Sequence, residues 1–176
     1  MLKYKKRVPY STTEVSPERS RAQIEKMLYE YGAEGVNITT KADGTGVLRF
    51  LMEIPKEGGQ TKKLMVEITP PILSKRVKVW DDKLSRTVER DVIHTGAAWR
   101  LTFYYLKAKL ESIVSGLVDF EHEFLADTVI QDDMGRQVTV AKVLIPLLEK
   151  TGGQLSLPSG DRKEERSTVV EAELVR

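Results

Sequence analysis

Residues 97–125 read AAWRLTFYYLKAKLESIVSGLVDFEHEFL. Trp99, Phe103, Leu106, Leu110, Ile113 and Leu117 recur at alternating steps of four and three. That spacing lines them along one face of an α-helix, because about 3.6 residues complete a turn. A long amphipathic helix is expected over 97–116, docked on a core and yielding near Gly116. Its other faces carry Arg100, Lys107, Lys109 and Glu111 beside Tyr104 and Tyr105.

Upstream, Ser16-Pro17 opens a shorter helix. Ser16 can cap free N–H groups, and Pro17 suits the first helical position, where its missing N–H had no partner. Ile24, Met27, Leu28 and Tyr31 form its stripe, and Gly32 supplies a left-handed end. The period then changes to two. Val36, Ile38 and Thr40 alternate with polar residues, Asp43-Gly44 turns, and Val47 to Ile54 returns. After a loop from Pro55 to Gly59, Lys62 to Ile68 forms a third strand, with Leu64, Val66 and Ile68 on one face. Pro70-Pro71 stops it. Short links between successive strands predict an antiparallel meander, with the helix of 17–31 over one face. Residues 72–96 read as either a long basic loop or a strand followed by a short helix.

Downstream, Asp119 can cap a short helix carrying Phe120, Phe124 and Leu125, and Asp132 to Gly135 signals a turn. Thr139 can cap a last helix through Lys150, with Pro146 kinking it. The expected fold class is therefore α+β. An antiparallel three- to four-stranded sheet packs against the N-terminal helix and the long helix, with short C-terminal helices. Residues 1–15 read as a basic arm, 16–153 as the domain and 154–176 as a flexible tail, which is rich in charge and poor in large apolar residues.

Composition narrows the chemistry. The 176 residues contain no cysteine, which excludes disulfides, thiolate metal sites and cysteine nucleophiles. No apolar run approaches the roughly 20 residues that span a bilayer. The basic start lacks the apolar stretch of a secretory signal, so a cytoplasmic location is expected. Net charge is +2, but residues 1–100 hold 19 Lys/Arg against 13 Asp/Glu, while 101–176 hold 9 against 13. This asymmetry can mark a surface for an anionic partner, but an ordinary mixed surface, in which sequence halves do not map onto spatial halves, is the favoured reading.

The stretch SPERSRAQIEKMLYEYGAEG, and later Ala98-Trp99-Arg100, Lys107 to Leu110, Ile113, Phe124-Leu125 and the aspartate–glycine turn, resemble uncharacterised phage and prophage proteins. The resemblance covers residues 16–150 through loose motifs. The chain departs from the pattern in a longer basic connection near 75–90. What the resemblance implies is a phage or mobile-element setting, and no chemistry.

Two sets of residues are candidates for binding nucleic acid. Lys75, Arg76, Lys78, Lys83, Arg86 and Arg90 surround Trp80, and cations interleaved with an aromatic suit a single strand. Asp81, Asp82, Glu89 and Asp91 dilute that field, and a solvated loop is the competing reading. Arg100, Tyr104, Lys107 and Glu111 share a helix flank. They suit a phosphate or base contact, or else a Lys107–Glu111 surface pair with an arginine stem laid over the core edge. The arm of Lys3, Lys5, Lys6 and Arg7 adds charge to the first set.

Other constellations carry less. Glu121-His122-Glu123 point in different directions on a helix and do not chelate together, so no metal is expected. Asp132 and Asp133 lack the spaced ligands of a cation loop. The glycine pairs sit in hairpin turns and form no phosphate cradle. No serine has a base at a recognisable spacing. Glu53 and Glu67 are candidates to meet across strands. The expectation is a non-enzymatic accessory protein without cofactor. It would bind nucleic acid, single-stranded and through the backbone. The rivals are a protein–protein interaction factor, such as a host-defence inhibitor or a subunit of a larger complex, and thirdly a nucleotide-sequestering protein.

Overall fold

Ser16 and Pro17 open the first helix as expected: the Ser16 hydroxyl accepts from the Arg19 N–H at 3.2 Å, and Pro17 is the first helical residue. The computed structural model describes residues 9–55, 59–132 and 134–150. Helix α1 (Pro17–Glu30) ends before Gly32, whose φ of +91° favours glycine. Strands β1 (Ala33–Thr40), β2 (Gly46–Pro55) and β3 (Thr61–Ile68) form an antiparallel meander in the order β1-β2-β3. Two further strands, β4 (Ser74–Asp81) and β5 (Arg86–Ile93), pair only with each other. Helix α2 (Thr95–Val114) follows, then α3 (Phe120–Phe124), a single 3₁₀ turn (Leu125–Asp127), the short hairpin β6 (Val129–Gln131) and β7 (Gln137–Thr139), and α4 (Val140–Lys150). The fold class is α+β.

The pleat of β2 separates two chemistries. Leu48, Phe50 and Met52 point inward, where Val66 and Ile68 of β3 join them. Ile24, Met27 and Leu28 of α1 and Trp99, Leu106 and Leu110 of α2 close the other side of this core. Phe124 completes it, packing edge-on to Phe50 with ring centroids 5.6 Å apart. The turn between β1 and β2 must also stay small. A Cβ on Gly46 would strike the Thr39 carbonyl and come within 3.0 Å of the Trp99 ring. Gly44, at φ +82°, lies against Thr95. Helix α2 is thereby docked at its first turn by the tip of the hairpin.

Several expectations are corrected in detail. Helix α2 runs from 95 to 114 rather than 97 to 116. Gly116 takes φ +74°, and Leu117 falls beyond the helix and is 81% exposed. The segment 72–96 is neither a basic loop nor a strand followed by a helix, but the β4–β5 ribbon. Thr139 ends β7 and is buried, and α4 begins after it with Pro146 inside. Asp119 holds the position before α3 through its carbonyl, which accepts from the Glu123 N–H, and its side chain makes no cap. Residues 1–8 and 154–176, with the basic arm's cations and the expected flexible tail, lie outside the described residues. Among the described residues no helix is long and apolar enough to cross a membrane.

Glu53 and Glu67 do not meet. Register places Glu53 opposite Lys63, and Glu67 opposite Arg49. Glu67, 9% exposed, accepts from Arg49 Nε and Nη2 at 2.8 and 2.6 Å and from Lys142 Nζ at 3.0 Å. Burial pushes its carboxyl up, but these hydrogen bonds and charges outweigh burial and hold it below the ordinary range. The contribution of this network is therefore complete above the ordinary carboxylate range and is lost as pH falls through the lowered value. Glu67→Gln should cost roughly 1–3 kcal/mol at neutral pH. It should also flatten the acid limb of a urea-unfolding series, and an unchanged acid limb would show that the network does not couple to folding.

Candidate nucleic-acid interface

The β4–β5 ribbon stands off the body. Its base is closed by the His94 N–H donating to the Leu73 carbonyl at 2.7 Å, and its strands have only scattered contacts with other elements. The tip turns without glycine. Asp81 Oδ1 accepts from the Lys83 and Leu84 N–H groups at 3.1 and 3.2 Å, and Ser85 takes the left-handed conformation at φ +47°.

Pairing sorts the ribbon's side chains onto two faces, because directly opposed residues share a face. Arg76 lies opposite Asp91, Lys78 opposite Glu89 and Trp80 opposite Thr87. The other face takes Lys75 opposite Val92, Val77 opposite Arg90, Val79 opposite Val88 and Asp81 opposite Arg86. The structure thus groups Arg76, Lys78 and Trp80 and sends Lys75 to the opposite side. Arg76 is engaged by Asp91 at 3.2 Å and Glu89 at 4.0 Å, and Arg90 by Asp81 at 2.5 Å. Lys75, Lys78, Lys83 and Arg86 make no ion pair among the described residues. Trp80 is 59% exposed. Lys83 and Arg86, near the tip, therefore carry charge that no carboxylate meets among the described residues, unlike Arg76.

The second candidate set has partners within the fold. Arg100 donates to Gln23 Oε1 of α1 at 2.6 Å and to the Tyr104 hydroxyl at 2.9 Å. Its guanidinium lies over the Tyr104 and Phe103 rings at 4.7 and 4.9 Å. Tyr10 stacks on Tyr104, with centroids 4.9 Å apart and planes 9° apart. Lys107 pairs with Glu111 at 3.5 Å. Arg100 and Tyr104 come together as their spacing implies, but they tie α1, α2 and the entering chain to one another. No hydrogen bond or ion pair among the described residues joins them to the ribbon.

A third arrangement has no counterpart in the sequence reading. At the root of the ribbon a cleft of about 340 Å³ opens between the end of β3 and α2. Ile68, Pro71 and Leu101 give it apolar walls, and Tyr105, Thr69 and Asp127 line it with polar atoms. Asp127 Oδ2 accepts from the Tyr105 hydroxyl at 3.4 Å and lies 3.9 Å from Lys109 Nζ. Asp127 Oδ1 accepts no hydrogen bond among the described residues. Burial raises the Asp127 carboxyl above its ordinary value, against the pull of Lys109 and Tyr105. Burial works to lower the Lys109 ammonium, yet its contacts with Tyr105 and Glu123 (3.1 Å from the Glu123 carboxylate) leave it raised. Spacing alone did not signal this cluster, since α2–α3 packing brings its members together.

Among the described residues no group of His, Asp and Glu side chains converges as a metal ion requires. His122 is exposed, with Asp119 at 3.9 Å, and His94 caps α2 through Nδ1 while Nε2 meets the Ser11 carbonyl at 3.0 Å. Comparison with protein-family models, with curated proteins and with solved structures returns no match to this chain.

Proposed function

We propose that this is a non-enzymatic accessory protein that binds single-stranded nucleic acid through its backbone, with the β4–β5 ribbon as the binding arm. The observation that carries the reading is the ribbon itself: a two-stranded element off the body, with Lys75, Lys78, Lys83 and Arg86 in no ion pair among the described residues and an exposed Trp80. An isolated hairpin is marginal in water, so a partner that laid a strand along it would gain order as well as contact. Phosphates supply sequence-independent affinity, and an exposed indole stacks on any base. Arg100, Tyr104 and Lys107 are assigned to the fold in this reading, and Arg76 contributes little because its charge is already met. The resemblance to phage proteins fits an accessory role in a mobile-element setting.

Fluorescence anisotropy with a labelled single strand at low and moderate salt tests the proposal. Affinity should fall with salt by about 0.7 in log–log slope per phosphate neutralised. Replacing Lys75, Lys78, Lys83 and Arg86 with Gln should flatten that slope, whereas Arg76→Gln should change it little. Absence of binding at low salt would overturn the reading. The rival, a protein-binding factor, draws on the ribbon's valine band of Val77, Val79, Val88 and Val92, of which Val79 and Val92 are exposed. A partner protein that co-purifies with the chain and is lost on Val79→Asp would favour that rival.

A further inference from the structure

The cleft at the ribbon's root has a definite chemistry. Ile68 and Pro71 on the β3 side and Leu101 on α2 give it apolar lining, and Tyr105 is an aromatic residue among those that line it. At about 340 Å³ it sits at the small end of the roughly 300–1,000 Å³ range of ligand pockets, which suits a ring system more than a whole nucleotide. Asp127 makes it a site for hydrogen-bond donors and closes it to phosphates. Its Oδ2 is engaged by Tyr105 and lies near Lys109, while Oδ1 accepts no hydrogen bond among the described residues. With the Lys109 ammonium already beside the carboxylate, a second cation would meet like charge. A neutral ligand with adjacent N–H donors meets none. Thr69 and Pro71 of the lining belong to the segment that leads into β4. A strand that follows the ribbon to its base therefore comes near the cleft.

We infer that this cleft takes one unstacked nucleobase from the bound strand, and that the base is guanine, read through its neighbouring N1–H and N2–H groups by the Asp127 carboxylate. Guanine is the base whose pairing edge presents two donors side by side, and a carboxylate accepts such a pair through both oxygens. Bases splayed from single strands are recognised in this way, by an edge contact together with an aromatic side chain. The burial that raises the Asp127 carboxyl also means that its charge works against the fold, a pattern common to binding and catalytic groups. The inference rests on the nucleic-acid reading for the way a base arrives, but the cleft can be examined without the ribbon.

The experiment compares a short labelled thymidine oligonucleotide carrying one central guanine with the same strand carrying hypoxanthine, which lacks the 2-amino group. Guanine should bind about tenfold more tightly. Asp127→Asn should erase that preference and leave the salt dependence unchanged. Because this substitution removes a charge that partial burial disfavours, the variant should be about as stable as the parent, which urea unfolding checks. In parallel, amide chemical shifts of Thr69 and Leu101 are followed with guanosine and inosine as free nucleosides. If the oligonucleotide binds with no guanine preference, or with one that survives Asp127→Asn, the inference is overturned and the ribbon reading stands. Where strands fail to bind but guanosine moves the cleft amides in an Asp127-dependent way, the cleft stands and the ribbon reading fails. If neither strand nor nucleoside binds, the inference falls with it.

Discussion

Leu106→Ala should lower the free energy of unfolding by about 2–5 kcal/mol. Leu106 is fully buried on α2, in the same cluster as Ile24 and Leu28 of α1 and Leu48, Phe50 and Val66 of the sheet. Removing its isobutyl group forfeits the transfer of that surface from water and leaves a cavity between two helices and a sheet. The sheet is held by its ladder and the helices by their caps, so collapse around the void is limited, and the upper half of the range is expected. Leu117→Ala supplies the control. It obeys the same period but lies beyond Gly116 in water, and its loss should change stability by less than about 0.5 kcal/mol. Denaturant melts of the pair provide the measurement. Equal effects would mean that α2 is not the element that organises the core.

The comparison of these two leucines marks how far periodicity reads the fold. The stripe of Trp99, Leu106 and Leu110 was legible because each step repeats the helical turn and each residue is buried. Leu117 continued the pattern on paper, but backbone geometry at Gly116 stops the helix first. The caps and turns at Ser16, Gly32 and Asp43-Gly44 were legible for the same local reason: one side chain or one φ angle decides each. The ribbon was not. A strand announces itself when one face is buried, and here both faces meet solvent, so cations alternate with valines on one side and with acids and Trp80 on the other. Its tip lacks the glycine that marks tight hairpins, and Asp81 and Ser85 do that work instead. Of the candidate site, the run of cations around Trp80 was legible but not its pairing. Asp81, Glu89 and Asp91 were visible as diluting charges, but only register assigns Asp91 and Glu89 to Arg76, and the fold brings Asp81 to Arg90. Tyr105 and Lys109 lie one turn apart on α2, but Asp127 comes from the 3₁₀ turn beyond α3, a proximity that spacing does not encode.

Excising the ribbon should separate folding from binding. Replacing Lys75 to Val92 with a short polar turn removes no member of the buried cluster and keeps Leu73 and His94, whose backbone bond closes the base. Shortening a surface loop changes closure entropy only slowly, by about 0.6 kcal/mol per halving of length, so the body should unfold at nearly the parental denaturant concentration. Binding should respond differently. The excised protein loses the four cations that make no ion pair among the described residues, together with the exposed indole. Stacking alone is worth about 1–3 kcal/mol per base, and each lost phosphate contact adds to it at low salt, so affinity for a single strand should fall by roughly two orders of magnitude or more. Trp80→Ala in the intact chain should reproduce only the stacking part and leave the salt slope unchanged. Anisotropy and urea melts on the same samples decide the matter. Undiminished binding by the excised protein would move the interface elsewhere on the molecule, to the basic residues that precede Pro9 first of all. A collapse of stability would instead make the ribbon a structural element whose charge is incidental, because a segment that the core needs cannot be treated as an arm.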